Sequence, residues 1–567
     1  MFRRLLAAHA ALLLLAACAT TGGRQAAAPV TVGIIAINDF HGSLEPPKAS
    51  VAAPDGKGGT VQVPAGGAAW LASAVRQLQG KYAHHVTVAA GDLISASQFA
   101  SSLFLDEPAV GVMNRIGLEY SAVGNHEFDR GSAELLRMQH GGCAKHTARQ
   151  PCRIERFGGA RYRYLAASTT TRDGKTLFPA TGIKRFGSGR NRVSLGIIGL
   201  TLRGTPTLVS PAGVEGLTFG DEAEAINAAV ARLKGRGVDA IAVLIHQGGR
   251  TADPQDPDGC NALSGDILPI LARLDARVDV VVSGHTHWAY VCDYGRIDPA
   301  RPMLLTSAGL YGKLVTDISL QIDPASHRVV AKRADNVIVQ SGAYGAVANS
   351  ALFPTVAPDP AVAGYVQRYA DAASAEALRP AGHLAAPASD GALGNLIADA
   401  QLAATKTAGA QIALTNPFGI RADLSPAADG ALTFGDLFKV QPFDNPLLTQ
   451  TMTGAELKAA LEQGFDDTGP VQALAPSAGF AYRFDRSRPS GDRIVAITLD
   501  GAPLDPSANY RVTTNLFLAM GGDSFRGFAR RREAATGMVD AAALEDWLKS
   551  DPPRTAPQEV RVVEAKP

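Results

Sequence analysis

Apolar residues fall along this chain in short runs that stop on a polar or charged side chain. Val30 to Ile37 is nearly all apolar and ends at Asn38-Asp39-Phe40-His41-Gly42. His85 to Ala90 runs into Gly91-Asp92, and Tyr120 to Val123 into Gly124-Asn125-His126-Glu127-Phe128-Asp129. Ala240 to Ile245 ends at His246-Gln247-Gly248-Gly249; Val278 and Val280 to Val282 lead to Ser283-Gly284-His285-Thr286-His287. Short β-branched runs closed by glycine predict buried strands. Val193 to Leu200 is a further strand, Gly66 to Leu78 and Glu222 to Leu233 carry the longer period of helices, and Glu45 to Pro64 reads as a loop. Strands alternating with helices predict a layered α/β domain, in which ligands gather at the carboxyl ends of the strands.

The pattern changes after about Gln321, where Val329 to Gln340 alternates like a hairpin. Pro358 to Leu378 predicts a helix, with Tyr365, Val366 and Tyr369 on one face. A second α/β unit follows: a helix opening at Leu393-Gly394-Asn395-Leu396, then a strand from Ile412 to Leu414 leading to Asn416-Pro417-Phe418-Gly419-Ile420-Arg421. Two later blocks, Val440-Gln441-Pro442-Phe443-Asp444-Asn445 and Asn515-Leu516-Phe517-Leu518-Ala519-Met520-Gly521-Gly522-Asp523, mix aromatic and polar residues.

Length agrees with two domains or more, since 567 residues exceed one ordinary core. The balance of 54 basic and 53 acidic residues argues against a general nucleic-acid or membrane-surface role. Arg3-Arg4 and the apolar run Leu5 to Ala17 predict an export signal too short to span a bilayer. Leu15-Ala16-Ala17-Cys18 resembles a bacterial lipobox, which implies cleavage before Cys18, lipidation of its thiol and a tether over residues 18–29. In an oxidising compartment Cys143, Cys152, Cys260 and Cys292 predict two disulfides, and proximity favours Cys143–Cys152 and Cys260–Cys292 among three pairings.

Asp39, His41, Asp92, Asn125, His246, His285 and His287 all sit at strand ends. Residues two apart in extended chain point to the same side, which pairs Asp39 with His41 and His285 with His287. Oxygen and nitrogen donors without thiolate suit Mn, Zn, Fe or Co. They are too many for one tetrahedral ion and fit two ions about 3.5–4 Å apart, bridged by a carboxylate, an arrangement that clamps a transferring phosphoryl group.

In order, Asn38-Asp39-Phe40-His41-Gly42, Gly91-Asp92, Gly124-Asn125-His126-Glu127 and Gly284-His285-Thr286-His287 resemble the calcineurin-like metallophosphoesterases, and most closely their exported bacterial 5′-nucleotidase family. The resemblance implies a four-layer α/β/β/α sandwich with two divalent ions over residues 30–345. A linker with a helix would cover 346–379, and a second α/β domain that binds substrate would cover 380–567. It implies Asp39, His41, Asp92 and His287 on one ion and Asp92, Asn125, His246 and His285 on the other. His126, oriented by Asp129, would face the scissile phosphate, and a metal-activated water would attack it. Phe443 and Phe517 would sandwich the base, Arg421 would meet phosphate, and Asn416, Asn445 and Asp523 would bond the nucleoside.

The sequence departs from that family where an arginine is usual: Ser389-Asp390-Gly391 offers no basic residue before Leu393, and Phe418 stands where glycine is usual. Both changes are on the substrate side. They keep open a nucleoside 2′,3′-cyclic phosphate, a nucleotide-sugar, NAD or a sulfur ester as substrate of the same fold. The reading of another class is a surface lipoprotein that binds nucleosides or a partner without catalysis. As a lipoprotein the chain would sit on the periplasmic face of a bacterial membrane.

Overall fold

The computed structural model describes residues 28–147, 149–443, 445–467, 470–530, 532–550 and 552–565. The expected signal segment, the lipidation of Cys18 and most of the tether lie outside the described residues. No helix among the described residues is long and apolar enough to cross a membrane.

Two six-stranded sheets pack face to face in the first domain. One runs Arg328–Ile338, Leu314–Asp323, Val30–Ile37, His85–Ala89, Tyr120–Ala122, Arg163–Leu165. The other runs Ala289–Asp293, Leu304–Ala308, Val280–Ser283, Ala240–His246, Val193–Thr201, Thr181–Phe186. Ile34, Ala36, Val86 and Val88 of the first meet Leu195, Ile197, Ala242 and Leu244 of the second in a fully buried seam. Helices cover the outer faces, Ala68–Lys81 and Glu107–Ile116 on the first sheet and Glu222–Gly235 on the second. These central strands are buried on both sides, which is why they read as unbroken apolar runs.

Val30–Ile37 and His85–Ala89 are parallel neighbours, as are Ala240–His246 and Val280–Ser283. Their polar tails therefore leave each sheet at one edge, and packing the sheets brings the two edges together. The loop expected over Glu45 to Pro64 holds a hairpin instead, Ala49–Pro54 against Thr60–Ala65. Asp55 closes its turn by accepting the backbone N–H of Lys57 and Gly59. Small side chains and six-residue strands left too little alternation to reveal it.

Pro360–Ala377 is one helix, capped by Asp359, whose carboxylate accepts the N–H of Ala361 and Val362, with proline in the first turn. Val362, Tyr365, Val366 and Tyr369 are buried in the first domain's core, so this helix is part of that domain's outer layer as well as its exit. The second domain has a five-stranded sheet ordered Ala475–Pro476, Ile412–Thr415, Asn509–Asn515, Pro446–Thr453, Ala535–Val539. Asp390–Ala404 packs on it, beginning three residues before Leu393.

Candidate active site

Two groups of donors converge where the sheet edges meet: Asp39, His41 and His287 in one, Asp92, His246 and His285 in the other. In the first, His41 Nδ1 lies 2.9 Å from the Ser95 carbonyl. A carbonyl only accepts, so Nδ1 carries the proton and Nε2 presents a lone pair. That lone pair faces further acceptors: His287 Nε2 at 3.3 Å, Asp92 Oδ2 at 3.7 Å and Asp39 Oδ1 at 3.9 Å. In the second group His246 Nδ1 donates to the Ala90 carbonyl at 2.8 Å, and its Nε2 is 3.0 Å from Asp92 Oδ2 and 3.1 Å from Asn125 Oδ1. Acceptors crowded against acceptors need a proton or a cation between them, and backbone carbonyls that fix the imidazoles from behind are the usual support of metal ligands. The donor set fits two divalent ions, with Asp92 facing both groups.

The backbone is bent for this purpose. Asp39, His41, Asp92, His285 and His287 all have positive φ, between 46° and 72°. Left-handed backbone at residues other than glycine costs on the order of 1–3 kcal/mol each and gathers at functional sites. It also corrects the pairing expected from extended chain. The last strand stops at Ser283, and the left-handed turns beyond it send His285 to the Asp92 group and His287 to the Asp39 group. Gly91 and Gly124 are matched to the crossing. A Cβ on Gly91 (φ 89°) would lie 2.7 Å from the Gly124 backbone nitrogen.

Two polar residues in this floor were not read as functional from the sequence. Glu127, only 2% exposed, accepts the backbone N–H of Asp92, Leu93 and Gly124 at 2.9, 2.8 and 2.6 Å, and so staples two donor loops together. Asn38 donates to Asp39 Oδ2 at 2.7 Å and to the Gly309 carbonyl at 2.8 Å, and accepts the Ala308 N–H at 2.7 Å, which ties one sheet edge to the other. The only signal for either was a polar residue inside a block already singled out for its neighbours.

Burial pushes His41 and His285 down to about 3 and lowers His287 as well, so these imidazoles keep their lone pairs. Burial also opposes a charge on His246, but the Asp92 carboxylate outweighs it and raises His246 to about 9. Asp92 is held well below its ordinary value: burial works against the charge, and His246 and His126 overcome it. Burial lifts Asp39 to about 7. Without a cation, the His246–Asp92 pair therefore retains a proton that an ion would displace.

His126 stands beside the donors, not among them. Its Nδ1 is 2.8 Å from Asp129 Oδ2, and its backbone N–H donates to Asp92 Oδ1 at 2.9 Å. Burial disfavours its charged form, but Asp129 and Asp92 outweigh that and raise its pKa.

Above this floor opens a cavity of about 1220 Å³ shared by the two domains. Asp92, Asn125, His126, Asp129, His285 and His287 line it from the first domain, and Asn416, Arg421, Phe443, Asn445, Phe517 and Asp523 from the second. Asp39, His41 and His246 are fully buried beneath it. Phe443 stacks on His126, with ring centroids 6.1 Å apart and planes within 13°. Asn416 Nδ2 donates to Asp523 Oδ2 at 2.7 Å, and its Oδ1 accepts from Asn515 Nδ2 at 3.0 Å. Asn515 had no role in the sequence reading; it also caps the short helix Leu516–Ala519 through the Leu518 N–H. Cys143–Cys152 and Cys260–Cys292 are disulfides, and none of the four lines the cavity.

The layered fold and its donor groups define a calcineurin-like phosphoesterase, and residues 33–289 match the model of that family. Residues 372–530 match the 5′-nucleotidase C-terminal domain, and the chain belongs to the 5′-nucleotidase family of calcineurin-like phosphoesterases. Endonuclease YhcR of Bacillus subtilis (strain 168) is 29% identical over 545 residues, covering 94% of this chain and 41% of that protein. Cell wall protein Lmo0130 of Listeria monocytogenes serovar 1/2a is 28% identical over 557 residues, covering 92% of this chain and 68% of that one. The chain thus spans about two fifths of the length of the Bacillus relative. The crystal structure of a 5′-nucleotidase precursor from Thermus thermophilus is similar, with a TM-score of 0.74 at 26% identity over 95% of this chain and 100% of that one.

Proposed function

We propose that the chain is an exported, metal-dependent phosphoester hydrolase that releases phosphate from nucleotides. The observation that carries this reading is the shared cavity: two donor groups joined by Asp92 form its floor, and Phe443, Phe517 and Arg421 form the facing wall. Asp39, His41, Asp92 and His287 would hold one divalent ion, and Asp92, Asn125, His246 and His285 the other, with Mn, Zn, Co and Fe all suited to such donors. Ions bound there would supply Lewis-acid polarisation of the phosphoryl group and lower the pKa of water.

The remaining chemistry belongs to the side chains. Asp129 holds His126 by Nδ1, which leaves Nε2 to carry a proton toward the departing ester oxygen and to offset charge on the phosphoryl oxygens. Arg421 brings a guanidinium fork to the phosphate. Phe443 and Phe517 present aromatic faces to the base, and Asn416, Asn445 and Asp523 present polar atoms to the sugar or base edge. The proposed division is a phosphoesterase domain over 30–345, a linker over 346–379 and a substrate domain over 380–567. Export draws support from the two disulfides and from the names of the Listeria and Thermus relatives, and a lipid anchor at Cys18 rests on the lipobox resemblance.

The test is hydrolysis by the purified chain of nucleoside 5′-monophosphates, 2′,3′-cyclic phosphates, a nucleotide-sugar and NAD, read as phosphate release and as chromatographically separated nucleotide products, with Mn²⁺ and with chelator. Chelator-sensitive release of phosphate from the monophosphates is expected. No product from any of them with metal supplied would favour the binding-protein reading.

A further inference from the structure

The chain enters the first domain at the edge opposite the cleft. Val30–Ile37, His85–Ala89, Val193–Thr201 and Ala240–His246 all run toward the donors, so the turns before them share the far edge of the two sheets. The sheets meet at that edge too: His327 Nδ1 is 2.5 Å from Asp239 Oδ1, and Lys184 Nζ is 2.6 Å from the Glu119 carboxylate. Ala28 and Pro29, which lead into Val30, are exposed. The nine residues of Val193–Thr201 put this edge about 26 Å from the floor of the cleft.

Its charge is one-sided. Arg185 lies at the end of Thr181–Phe186, Arg190 and Arg192 in the turn that follows, and Arg328 at the start of Arg328–Ile338, all four exposed. Phe186 is paired with Val193 and Arg328 with Asp323, which fixes these turns at the strand ends. Among the described residues none of the four has an ion pair or a side-chain hydrogen bond. Arg161 and Arg163, exposed where the strand Arg163–Leu165 begins, extend the same sign to one side.

The carboxylates of the edge are already committed. Glu119 pairs with Lys184, and Asp275 with Arg277. Asp239, only 4% exposed, accepts the Ser194 N–H and hydroxyl in addition to facing His327. Asp279 accepts the Ile241 N–H, and Asp323 closes its own turn on Ala325 and Ser326. The neighbouring turn is balanced, with Arg296 on Asp293 and Arg301 on Asp298. The even charge of the whole chain does not hold at this edge.

Exposed arginines are commonly just solvated. Arg232, Lys234 and Arg236 have a structural account, because they end the helix Glu222–Gly235, whose terminus favours cations. Arg185, Arg190, Arg192 and Arg328 have none, and they surround the place where the tether joins. From Cys18 to Pro29 the sequence holds small and polar residues and Arg24, with no acidic residue. A chain of that length reaches at most about 40 Å and averages about 20 Å. A lipid on Cys18 would therefore keep the edge near the headgroups, whose charge acts over about 10 Å.

We infer that this edge docks on a bilayer bearing anionic lipids and turns the cleft toward the medium. The inference takes its setting from the export and lipid-anchor reading above and goes beyond it in assigning the surface. Each arginine brought against such a bilayer strengthens binding about 5-fold.

The experiment sediments vesicles with the chain from residue 18 onward, carrying Cys18→Ser so that no acyl group contributes. Vesicles of phosphatidylcholine alone are compared with vesicles of phosphatidylcholine and phosphatidylglycerol in equal parts, at low and high NaCl. Binding to the mixed vesicles alone is expected, with release at high salt. The combined variant Arg185→Ser, Arg190→Ser, Arg192→Ser and Arg328→Ser should lower the partition constant about 10-fold or more. A control that neutralises as many cations elsewhere, Lys57→Ser, Lys406→Ser, Lys458→Ser and Arg483→Ser, should leave it within about 2-fold. An unchanged unfolding midpoint shows that both variants are folded. Equal loss in the two variants, or equal binding to neutral and mixed vesicles, overturns the inference. So does tighter binding of a DNA or RNA duplex at the same salt, lost in the first variant, which assigns the edge to nucleic acid. The anchor is tested apart from the edge: the unsubstituted chain, expressed with its signal segment, should stay in the membrane fraction at high salt. Its release there would remove the anchor reading and leave the vesicle result standing.

Discussion

The two walls of the cleft are built on opposite principles. On the first-domain side polar atoms crowd together on bent backbone and need a proton or a cation between them. On the second-domain side the polar atoms are already reconciled, with Asn515, Asn416 and Asp523 bonded in a chain beside two aromatic rings. The first wall gathers left-handed backbone and donors for an ion; the second presents side chains largely bonded to one another, on which ligands can be exchanged. One side therefore fixes the chemistry, and the other is free to vary the substrate.

The sharpest way to break that comparison is at Asp92, the one residue that faces both donor groups. Asp92→Ala is expected to lower activity by at least about 10²–10³-fold and to reduce the bound metal below two ions per chain, read by elemental analysis. Two tightly held ions in this variant would show that the groups do not depend on a shared carboxylate. His126→Ala separates chemistry from binding. Turnover should fall about 10²–10⁴-fold while metal content stays that of the wild type. Wild-type turnover with normal metal would remove His126 from the reaction.

How far each wall could be read from the sequence follows the same division. The donors were legible because strands buried on both faces carry few polar residues before they end, so each tail stood out. The direction in which those tails point was not legible from the strand pattern, although the family resemblance already assigned His285 and His287 to different ions. Pairing His285 with His287 assumed extended chain, and the left-handed backbone that separates them depends on the packing of two sheets. Asn416, Phe443 and Asp523 were reached through resemblance alone, since isolated aromatic and polar residues in a mixed domain have no periodic signature. The hairpin over Ala49–Pro54 and Thr60–Ala65 escaped notice because the residues it buries, Val51, Ala53, Val63 and Ala65, are few and small.

Glu127 sharpens the contrast on the metal side, since it works through its neighbours. Burial pushes its carboxyl up to about 8, and three backbone N–H groups still point at it. Glu127→Gln keeps the volume but turns one acceptor oxygen into a donor against those N–H groups. Loss of such a supporting contact is expected to weaken metal affinity about 10–100-fold, with activity restored at high Mn²⁺. Equal metal affinity in the two proteins would make the staple a matter of folding alone.

The smallest effect is expected on the substrate side, and its sign is opposite. Burial raises Asp523 to about 6 from an ordinary 3.8, with Asn416, His126 and Arg421 only partly offsetting it. Between those two values the unfolded chain releases its proton before the folded one does. Stability from this group is therefore lost as pH climbs from about 4 to 6 and stays lost above that. The ceiling is about 3 kcal/mol at neutral pH. Asp523→Asn removes the charge and can still accept from Asn416, so it should raise the unfolding midpoint by about 2–6 °C at pH 7.5 and leave it unchanged near pH 4. The same substitution should raise the nucleotide KM, because the carboxylate faces the cavity. A variant less stable at pH 7.5 would mean that the ionised carboxylate is held by contacts outweighing its burial. The second wall would then depend on its particular residues no less than the first.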